Sequence, residues 1–241
     1  MIAEAPDKTP ARIAAMFDAI AGRYDLLNHV LSAGLDRRWR NQAVDALELS
    51  SNARVLDLCT GTADLAIATV RRVSGASVLG VDFAANMVRV GREKVASLDL
   101  ASVVRLVRGD ATCLPLADAS CDAATIGFGI RNVAEPTLAL AEIARVLRPR
   151  GRLAILEFGQ PAIPGIRTLY AWYFKYLLPL VGRTVSKHNS AYSYLPASVG
   201  TFPSPSAFAG IIARHGFSNV KAVPLTLGIV YLFTAEKTAA S

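Results

Sequence analysis

Three apolar runs in the first half of the chain are each followed or closed by an acidic residue, and these acids are the first candidates for chemistry. Asp57 and Asp82 close the runs at residues 54–58 and 78–82, and Asp110 follows the run at 103–108. If each run is a strand of one parallel sheet, the three carboxylates meet at its carboxyl edge, where open α/β sheets bind their ligands. Taken singly, each acid could also cap a helix or end a strand. Together they predict a ligand site.

The stretch after the first run predicts a loop that holds a cofactor. Gly61 and Thr62 lie there between Asp57 and Asp64, so the loop offers free backbone N–H groups and little side-chain bulk. A pyrophosphate would be repelled by two carboxylates, and the G-x-G-x-x-G fingerprint of dinucleotide-binding loops is absent. Carboxylates suit a positively charged ligand. We therefore predict S-adenosylmethionine, which carries a sulfonium and an ammonium, and a methyltransferase of the Rossmann-like class.

The other two acids fit the nucleoside part of the same cofactor. Asp82 lies about 20 residues after the loop, which is the spacing at which a carboxylate reaches ribose hydroxyls in nucleotide-binding sheets. Asp110 and Ala111 would offer a side-chain acceptor and a backbone N–H to the edge of adenine. Gly127 follows a fourth apolar run, at residues 121–126, beside the position expected for the reactive methyl group.

The elements that must position these residues predict an α/β fold. Apolar runs alternate with repeats of helical spacing, and strands are expected at 54–58, 78–82, 103–108, 121–126, 152–158, 217–223 and 227–233. Such alternation is typical of a doubly wound sheet. We expect the seven-stranded, mostly parallel sheet of a Rossmann-like class I S-adenosylmethionine-dependent methyltransferase, in effect one domain. Residues 1–48 are expected to form an N-terminal helical lid, and residues 49–241 the methyltransferase domain.

Composition and charge exclude several other classes. The 241 residues are 52% hydrophobic with a net charge of +7, which excludes a disordered chain. Cys59, Cys113 and Cys121 lack the spacing of a zinc site or a disulfide framework, which favours a reducing compartment and no metal. Because no signal-peptide core or membrane-length apolar run is present, we expect a cytoplasmic protein, with contact to the inner face of the membrane as a further hypothesis.

The segment at about 160–200 is predicted to be an apolar and basic insertion. Aromatic residues such as Trp172 alternate there with Lys175 and Arg183, and residues 151–241 carry 8 basic but 2 acidic groups. This composition fits core packing, a cap over an apolar pocket, or a surface that rests on an anionic membrane.

Four blocks of sequence carry a family resemblance. They are MFDAIAGRYDLLNH at 16–29, GFGIRNV at 127–133, AYSYLPASV at 191–199 and PLTLGIV at 224–230. From about residue 16 to residue 233 the chain resembles the UbiE/MenG family of quinone C-methyltransferases. The resemblance implies methylation of a ring carbon in a polyprenylated quinol, with cofactor contacts at Thr62, Asp82, Asp110, Ala111 and Gly127. Cys59 and Ala63 depart from the general loop, where glycine is frequent, so that Gly61 alone remains of that pattern.

The residues of the first two blocks are candidates for the chemistry. A quinol carbon becomes nucleophilic when its neighbouring phenol, of pKa about 10, gives up or shares its proton. Arg131 is expected to hold the developing phenolate, because a guanidinium stays charged, and for the same reason it is not the proton acceptor. We expect Asn132 to orient the ring oxygen, and Tyr24 or His29 to relay a proton through water. The alternatives are a surface ion pair for Arg131, core packing for Tyr24 and a structural role for His29.

Rival functions lack their motifs. A short-chain dehydrogenase needs a Tyr-x-x-x-Lys pair, and a nucleic-acid methyltransferase needs a Pro-Cys or Asn/Asp-Pro-Pro-Tyr motif, none of which is present. We therefore expect no nucleic-acid partner, and measured turnover would exclude a non-catalytic adenosine-binding protein. The expected reaction is demethylmenaquinol to menaquinol, with the benzoquinol step of ubiquinone biosynthesis or another small-molecule acceptor as alternatives. The sequence leaves open whether the chain forms a homodimer.

Overall fold

One sheet runs through the described part of the chain, which comprises residues 7–161, 163–172 and 190–239 of a computed structural model. Its strands are β1 (Arg54–Leu58), β2 (Ser77–Asp82), β3 (Val104–Arg108), β4 (Cys121–Gly127), β5 (Leu147–Phe158), β6 (Phe217–Leu225) and β7 (Val230–Lys237). They lie in the order β3-β2-β1-β4-β5-β7-β6. The first five pair in parallel, and β7 is antiparallel to both neighbours. The predicted seven-stranded, mostly parallel sheet is confirmed.

Helices connect the strands and precede the sheet. They are α1 (Pro10–Ile20), α2 (Tyr24–Leu31), α3 (Leu35–Asp45), α4 (Asp64–Arg72), α5 (Ala85–Ser97), α6 (Pro136–Val146), α7 (Pro164–Trp172), α8 (Ser190–Thr201) and α9 (Pro205–Arg214). Gly22 lies between α1 and α2, and Gly34 lies between α2 and α3. The helices are interrupted at these two glycines, as the sequence predicts. Within the residues that the structure describes, no helix has both the length and the apolar character needed to cross a bilayer.

Apolar cores cover both faces of the sheet, and β1 lies near its centre. Val55 belongs to a core with Trp39 and Leu65 on one face, whereas Leu56 and Leu58 belong to a core on the other face. Successive side chains of a strand point to opposite faces, so both kinds of position on β1 are buried. The loop after β1 therefore leaves the sheet at its centre, between β2 and β4, where the direction of strand addition reverses and α/β sheets bind ligands.

The last strand begins later than its sequence predicts. A strand was expected at 227–233, but residues 226–228 form one turn of 3-10 helix, in which Thr226 and Leu227 have φ values of 46° and 60°. The indole Nε1 of Trp39 donates a hydrogen bond to Thr226 Oγ1 at 2.8 Å. This contact with a distant helix holds the turn, and β7 starts at Val230 and continues to Lys237.

The predicted apolar and basic insertion is described in part. Its two ends form α7 and α8, and Trp172 at the end of α7 is 52% exposed. The exposed indole argues against core packing at this one position. Lys175 and Arg183, which carry the charge of the predicted membrane contact, lie outside the described residues.

Candidate active site

A cavity of about 300 Å³ lies at the carboxyl edge of the sheet. Five of the eight predicted cofactor residues line it, from four different segments of the chain: Gly61, Asp82, Asp110, Ala111 and Gly127. Leu58, Cys59, Phe83, Met87, Val133 and Leu138 add apolar surface to the same walls. The structure thus brings one glycine-containing loop and two acids together around a space of ligand size.

Asp82 is held rigidly at the wall of this cavity. The backbone N–H of Gly61 donates to Asp82 Oδ2 at 2.8 Å, and the N–H of Ala84 donates to Oδ1 at 2.9 Å. Gly61 has a φ of +54°, a left-handed conformation that glycine adopts without strain. Burial raises the pKa of Asp82, while the two N–H groups oppose that rise. A fixed, half-buried carboxylate of this kind can still accept hydrogen bonds through its remaining lone pairs.

Asp110 is more exposed than Asp82 and is tied to its own turn. The backbone N–H and the hydroxyl of Thr112 both donate to Asp110 Oδ1 at 2.8 Å. In the described part of the chain, Oδ2 receives no hydrogen bond. The adjoining Ala111 places its backbone at the cavity, so the pair presents one acceptor and one N–H there.

Asn132 contributes an acceptor that the protein itself does not use. It follows Gly129, where an added Cβ would lie 2.3 Å from the Cβ of Cys59, so the segment after β4 packs directly against the loop after β1. Asn132 Oδ1 is buried at this cavity and has no hydrogen-bond partner among the described residues. An orphaned buried acceptor costs about 1–3 kcal/mol, and a donor on a bound ligand would remove that cost.

A second, apolar cavity of about 140 Å³ adjoins the first. Phe17, Tyr24 and Phe128 line both cavities and so form their common wall. The remaining lining is mostly aromatic and aliphatic: Met16, Ile20, Leu27, Trp39, Phe158, Tyr194 and Leu195. Two arginines, Arg131 and Arg40, and the acid Asp36 also line this cavity.

Arg131 forms a buried ion pair that the sequence did not predict. Its Nη1 donates to Glu157 Oε1 at 2.6 Å and to the carbonyl oxygen of Phe128 at 2.5 Å, and its Nε donates to Ser198 Oγ at 3.4 Å. The guanidinium carbon lies 5.3 Å from the ring centre of Phe158. Glu157 is 0% exposed, so the alternative of a surface ion pair is wrong. Within the described residues, Nη2 makes no hydrogen bond.

Tyr24 lies where the two cavities meet. Burial raises the pKa of its phenol, while a hydrogen bond with Asn28 and the charges of Arg131 and Arg40 oppose the rise. The phenol is therefore protonated at neutral pH and can donate a hydrogen bond. Because Tyr24 lines both cavities, it does not simply pack in the core.

Asp57 lies beneath the loop instead of facing the main cavity. It is 0% exposed and accepts hydrogen bonds from Thr60 Oγ1 at 2.5 Å and Thr125 Oγ1 at 2.7 Å. Asp57 lines a third cavity, of about 30 Å³, which adjoins the larger one because Tyr24, Cys59, Gly61, Gly127 and Phe128 line both. Its contacts indicate that it holds the loop in shape, and its direct contact with the cofactor stays a prediction.

Asp57 gives a test of this structural role. Burial raises its pKa to about 6 from 3.8. Because the folded-state pKa is raised, the stabilising contribution of the protonated form is present below the unfolded pKa and is lost as pH rises through the folded one. We expect wild type to lose about 3 kcal/mol of unfolding free energy relative to Asp57→Asn between about pH 4 and about pH 7.

Urea unfolding of both proteins across this range measures the difference. Glu93→Gln, which removes an exposed carboxylate paired with Arg89, is the control and should show no such trend. A difference between wild type and Asp57→Asn that is constant with pH would contradict the buried, titrating carboxyl.

Thr62 and Asp64 connect the loop to the helices before the sheet. Thr62 Oγ1 donates a hydrogen bond to Asp25 Oδ1. Lys94 Nζ donates to Asp25 Oδ2 at 2.5 Å and to Asp64 Oδ1 at 2.7 Å, and so links the two acids. Asp64 Oδ2 also lies 3.0 Å from Nη2 of Arg40. Lys94 and Arg40 also pair with Asp25 and Asp36, so two cations serve three carboxylates. The attraction of Asp64 to a charged cofactor stays a prediction. The network couples the loop to α2 and α3.

His29 is not brought to either main cavity. Its side chain is 46% exposed, and Nδ1 lies 3.2 Å from Asp36 Oδ1, whose other oxygen accepts from Arg40. The ring therefore belongs to the outer end of the same polar network. The predicted proton relay through His29 is corrected to the structural alternative.

Sequence reasoning missed three residues that the structure places in or beside the site. Glu157 is a lone acid near the end of an apolar strand, and a charged residue in such a run could have indicated a buried functional role. Tyr194 stands in a block of the family resemblance without a charge to mark it. Lys94 had no local signal, because its partners lie 30 and 69 residues away in the chain.

Known proteins match the chain along nearly its whole length. Residues 6–237 match the ubiE/COQ5 methyltransferase family. The "Ubiquinone/menaquinone biosynthesis C-methyltransferase UbiE" of Geotalea daltonii is 45% identical over 227 residues, covering 94% of this chain and 96% of that protein. The "Demethylmenaquinone methyltransferase" of Thermus thermophilus is 44% identical over 222 residues, covering 92% and 100%. A solved S-adenosylmethionine-dependent methyltransferase from Aquifex aeolicus shares the fold with a TM-score of 0.61 at 19% identity, covering 96% and 99%.

Proposed function

The chain belongs to the ubiE/COQ5 methyltransferase family, and from that membership we propose that this S-adenosylmethionine-dependent C-methyltransferase converts demethylmenaquinol to menaquinol. The relative from Thermus thermophilus, which is named for demethylmenaquinone, supports the naphthoquinol nucleus. The name of the Geotalea relative covers ubiquinone as well, so the benzoquinol step is the second candidate.

The observation that carries the proposal is the junction of two unlike cavities. The larger has fixed acids at its wall, and the smaller is mostly apolar with two buried ion pairs beside it, Arg131–Glu157 and Arg40–Asp36. A nucleoside cofactor fits the chemistry of the first, and an aromatic ring with polar oxygens fits that of the second. Tyr24 and Phe128, which line both, stand where the two reactants would meet.

The residues of the larger cavity suit S-adenosylmethionine, which when bound supplies an electrophilic methyl group on a sulfonium. Asp82 would accept hydrogen bonds from ribose hydroxyls, and Asp110 with Ala111 would contact the adenine edge. The orphaned Asn132 Oδ1 would accept a hydrogen bond from the amino group of the ligand or from a hydroxyl of the acceptor. Gly127 leaves room at the end of β4 for the reacting centre.

Arg131 would stabilise the negative charge that develops on the acceptor. Glu157 fixes one side of the guanidinium, which leaves Nη2 to donate to a phenolic oxygen. Arg131 does not take the proton, because a guanidinium stays protonated at neutral pH. Tyr24, protonated and at the junction, can donate to the same oxygen or pass a proton to water.

The helices at 1–48 would act as a lid over both reactants. Ile13 and Phe17 of α1 line the larger cavity, and Met16, Phe17 and Ile20 line the smaller one. The apolar stripe of α1 thus covers ligand space instead of joining the main core. Excluding water from the junction would strengthen the electrostatic contacts of Arg131 and Asp82.

Methyl transfer from labelled S-adenosylmethionine tests the proposal. Short-tailed demethylmenaquinol and the corresponding methoxy-benzoquinol are offered in reduced form, with both oxidised quinones as controls. We expect transfer to the reduced naphthoquinol, since the oxidised ring has no phenol to activate it. Transfer to the benzoquinol alone would reassign the pathway, and equal transfer to oxidised rings would contradict the phenolate mechanism.

Contact with an anionic membrane surface is part of the same proposal. A polyprenyl tail resides in a bilayer, Trp172 presents an exposed indole, and residues 151–241 carry 8 basic and 2 acidic groups. We expect co-sedimentation with liposomes to increase with their anionic lipid content and to fall with salt. Binding that is independent of lipid charge would contradict the proposal. Trp172→Ser tests the indole, and Leu98→Ser, at an exposed residue just after α5, is the matched control.

A further inference from the structure

Tyr194 of α8 lines the apolar cavity and carries a hydroxyl that the described residues leave unsatisfied. Tyr194 lines this cavity, its Oη is buried, and it has no hydrogen-bond partner among the described residues. A buried hydroxyl without a partner costs about 1–3 kcal/mol. A polar atom of a ligand bound in the cavity would recover that free energy.

The helix places Tyr194 on the side that faces the buried ion pair. Ser198 lies one turn further along α8, and its Oγ accepts from Arg131 Nε at 3.4 Å. Residues four apart in a helix share one face, so Tyr194 is directed to the same side of the cavity as Arg131. The charge of Arg131 acts on the Tyr194 phenol, lowering its pKa, while burial raises it by more. The phenol is therefore protonated at neutral pH and has an O–H to donate.

Resting on the proposed function, we infer that the hydroxyl of Tyr194 donates the hydrogen bond that holds one ring oxygen of the quinol in the apolar cavity. The rest of the lining is mostly aromatic and aliphatic, with polar side chains that include Arg131, Arg40 and Asp36. A neutral donor at Tyr194 adds a contact that helps to fix which way round the ring binds. The neutral hydroxyl of Tyr194 would donate to the quinol both in the ground state and in the transition state of methyl transfer. Arg131, by contrast, acts on the charge that develops during transfer.

This division of roles predicts a specific kinetic pattern for Tyr194→Phe. An interaction present in both ground state and transition state affects KM and leaves kcat unchanged. We expect KM for the reduced quinol to rise about tenfold, as loss of one hydrogen bond implies, with kcat within about twofold and S-adenosylmethionine affinity unchanged. The melting temperature should not fall, because the variant removes an unsatisfied hydroxyl. Tyr231→Phe, on β7 and outside both cavities, is the matched control.

Monohydroxy analogues of the ring identify the oxygen concerned. Each of the two isomers retains one ring hydroxyl, and each is used as a competitive inhibitor of wild type and of Tyr194→Phe. We expect the variant to weaken inhibition by one isomer about tenfold and to leave inhibition by the other unchanged. Equal inhibition of both enzymes by both isomers would overturn the assignment of Tyr194.

The failures of the two proposals are distinguishable. If wild type methylates the reduced quinol and Tyr194→Phe does so with unchanged KM, the role of Tyr194 is overturned and the proposed function stands. If wild type binds S-adenosylmethionine but methylates no reduced quinol, the proposed function is overturned, and the role of Tyr194 with it. A fall in melting temperature of Tyr194→Phe with an unchanged analogue profile would make Tyr194 a structural residue.

Discussion

Asp82→Asn is expected to weaken the binding of S-adenosylmethionine about 30-fold or more, corresponding to about 2 kcal/mol. The substitution keeps the shape of the side chain and one oxygen for the Gly61 N–H, which is 2.8 Å away in wild type. It removes the negative charge and one of the two acceptor oxygens that ribose hydroxyls would use. Titration calorimetry with the cofactor alone measures the effect without any acceptor.

The pH dependence of binding gives an independent readout of Asp82. Burial raises its pKa, so on acidification the carboxyl is protonated sooner than an ordinary aspartate and loses its strength as an acceptor. The affinity of wild type should therefore fall at acid pH, and that of Asp82→Asn should fall less. Asp118→Asn, which removes the exposed partner of Arg145, is the control. Unchanged affinity in Asp82→Asn would remove Asp82 from the cofactor site.

Arg131→Met is expected to reduce kcat about 100-fold or more, since loss of a preorganised donor to a developing oxyanion has effects of this size. Cofactor affinity should stay close to that of wild type, because Arg131 lines the second cavity and not the first. Single-turnover methylation of the reduced quinol, at saturating concentrations of both reactants, measures the chemical step directly. Lost cofactor binding with unchanged chemistry would contradict this role.

The buried partner of Arg131 makes a second variant necessary. Removing the guanidinium leaves Glu157, which is 0% exposed, without its cation, and orphaning a buried charge destabilises a protein by about 3–5 kcal/mol. Arg131→Met combined with Glu157→Gln removes both charges and should recover most of that stability. We expect kcat of the double variant to stay low. Recovery of kcat together with stability would mean that Arg131 acts through folding alone.

The seven-stranded, mostly parallel sheet and the position of the ligand site followed from local sequence. Each apolar run that ends in an acid or in a small-residue turn has the length of a buried strand, and alternation with helical repeats leaves a parallel sheet as the consistent solution. Gly61, Asp82 and Asp110 therefore met at one cavity as predicted. Their positions depend on strand ends, and strand ends are encoded within a few residues.

The individual roles of the charged residues could not be predicted in the same way. Asp57 and Asp64 looked alike in sequence, yet Asp57 is fixed by Thr125, 68 residues further on, and Asp64 by Lys94, 30 residues further on. Arg131 carries a chemical signal of its own, but its neutralisation by Glu157 depends on the side-by-side pairing of β4 and β5. Which carboxylate meets a ligand and which meets a protein cation depends on partners distant in the chain.

The sequence by itself determined the sheet, the loop after β1 and the type of cofactor that this loop suits, because these depend on local apolar periodicity, on small residues and on acids at strand ends. Tertiary structure alone decided that the apolar stripe of α1 covers two adjoining cavities and that His29 belongs to a polar network. It also decided that β7 begins only at Val230, after the turn whose Thr226 accepts a hydrogen bond from Trp39. It also left the hydroxyl of Tyr194, a residue that lines the apolar cavity, buried without a partner among the described residues. These outcomes depend on which surfaces pack together when distant segments of the chain come into contact. Short-range sequence patterns do not encode those contacts.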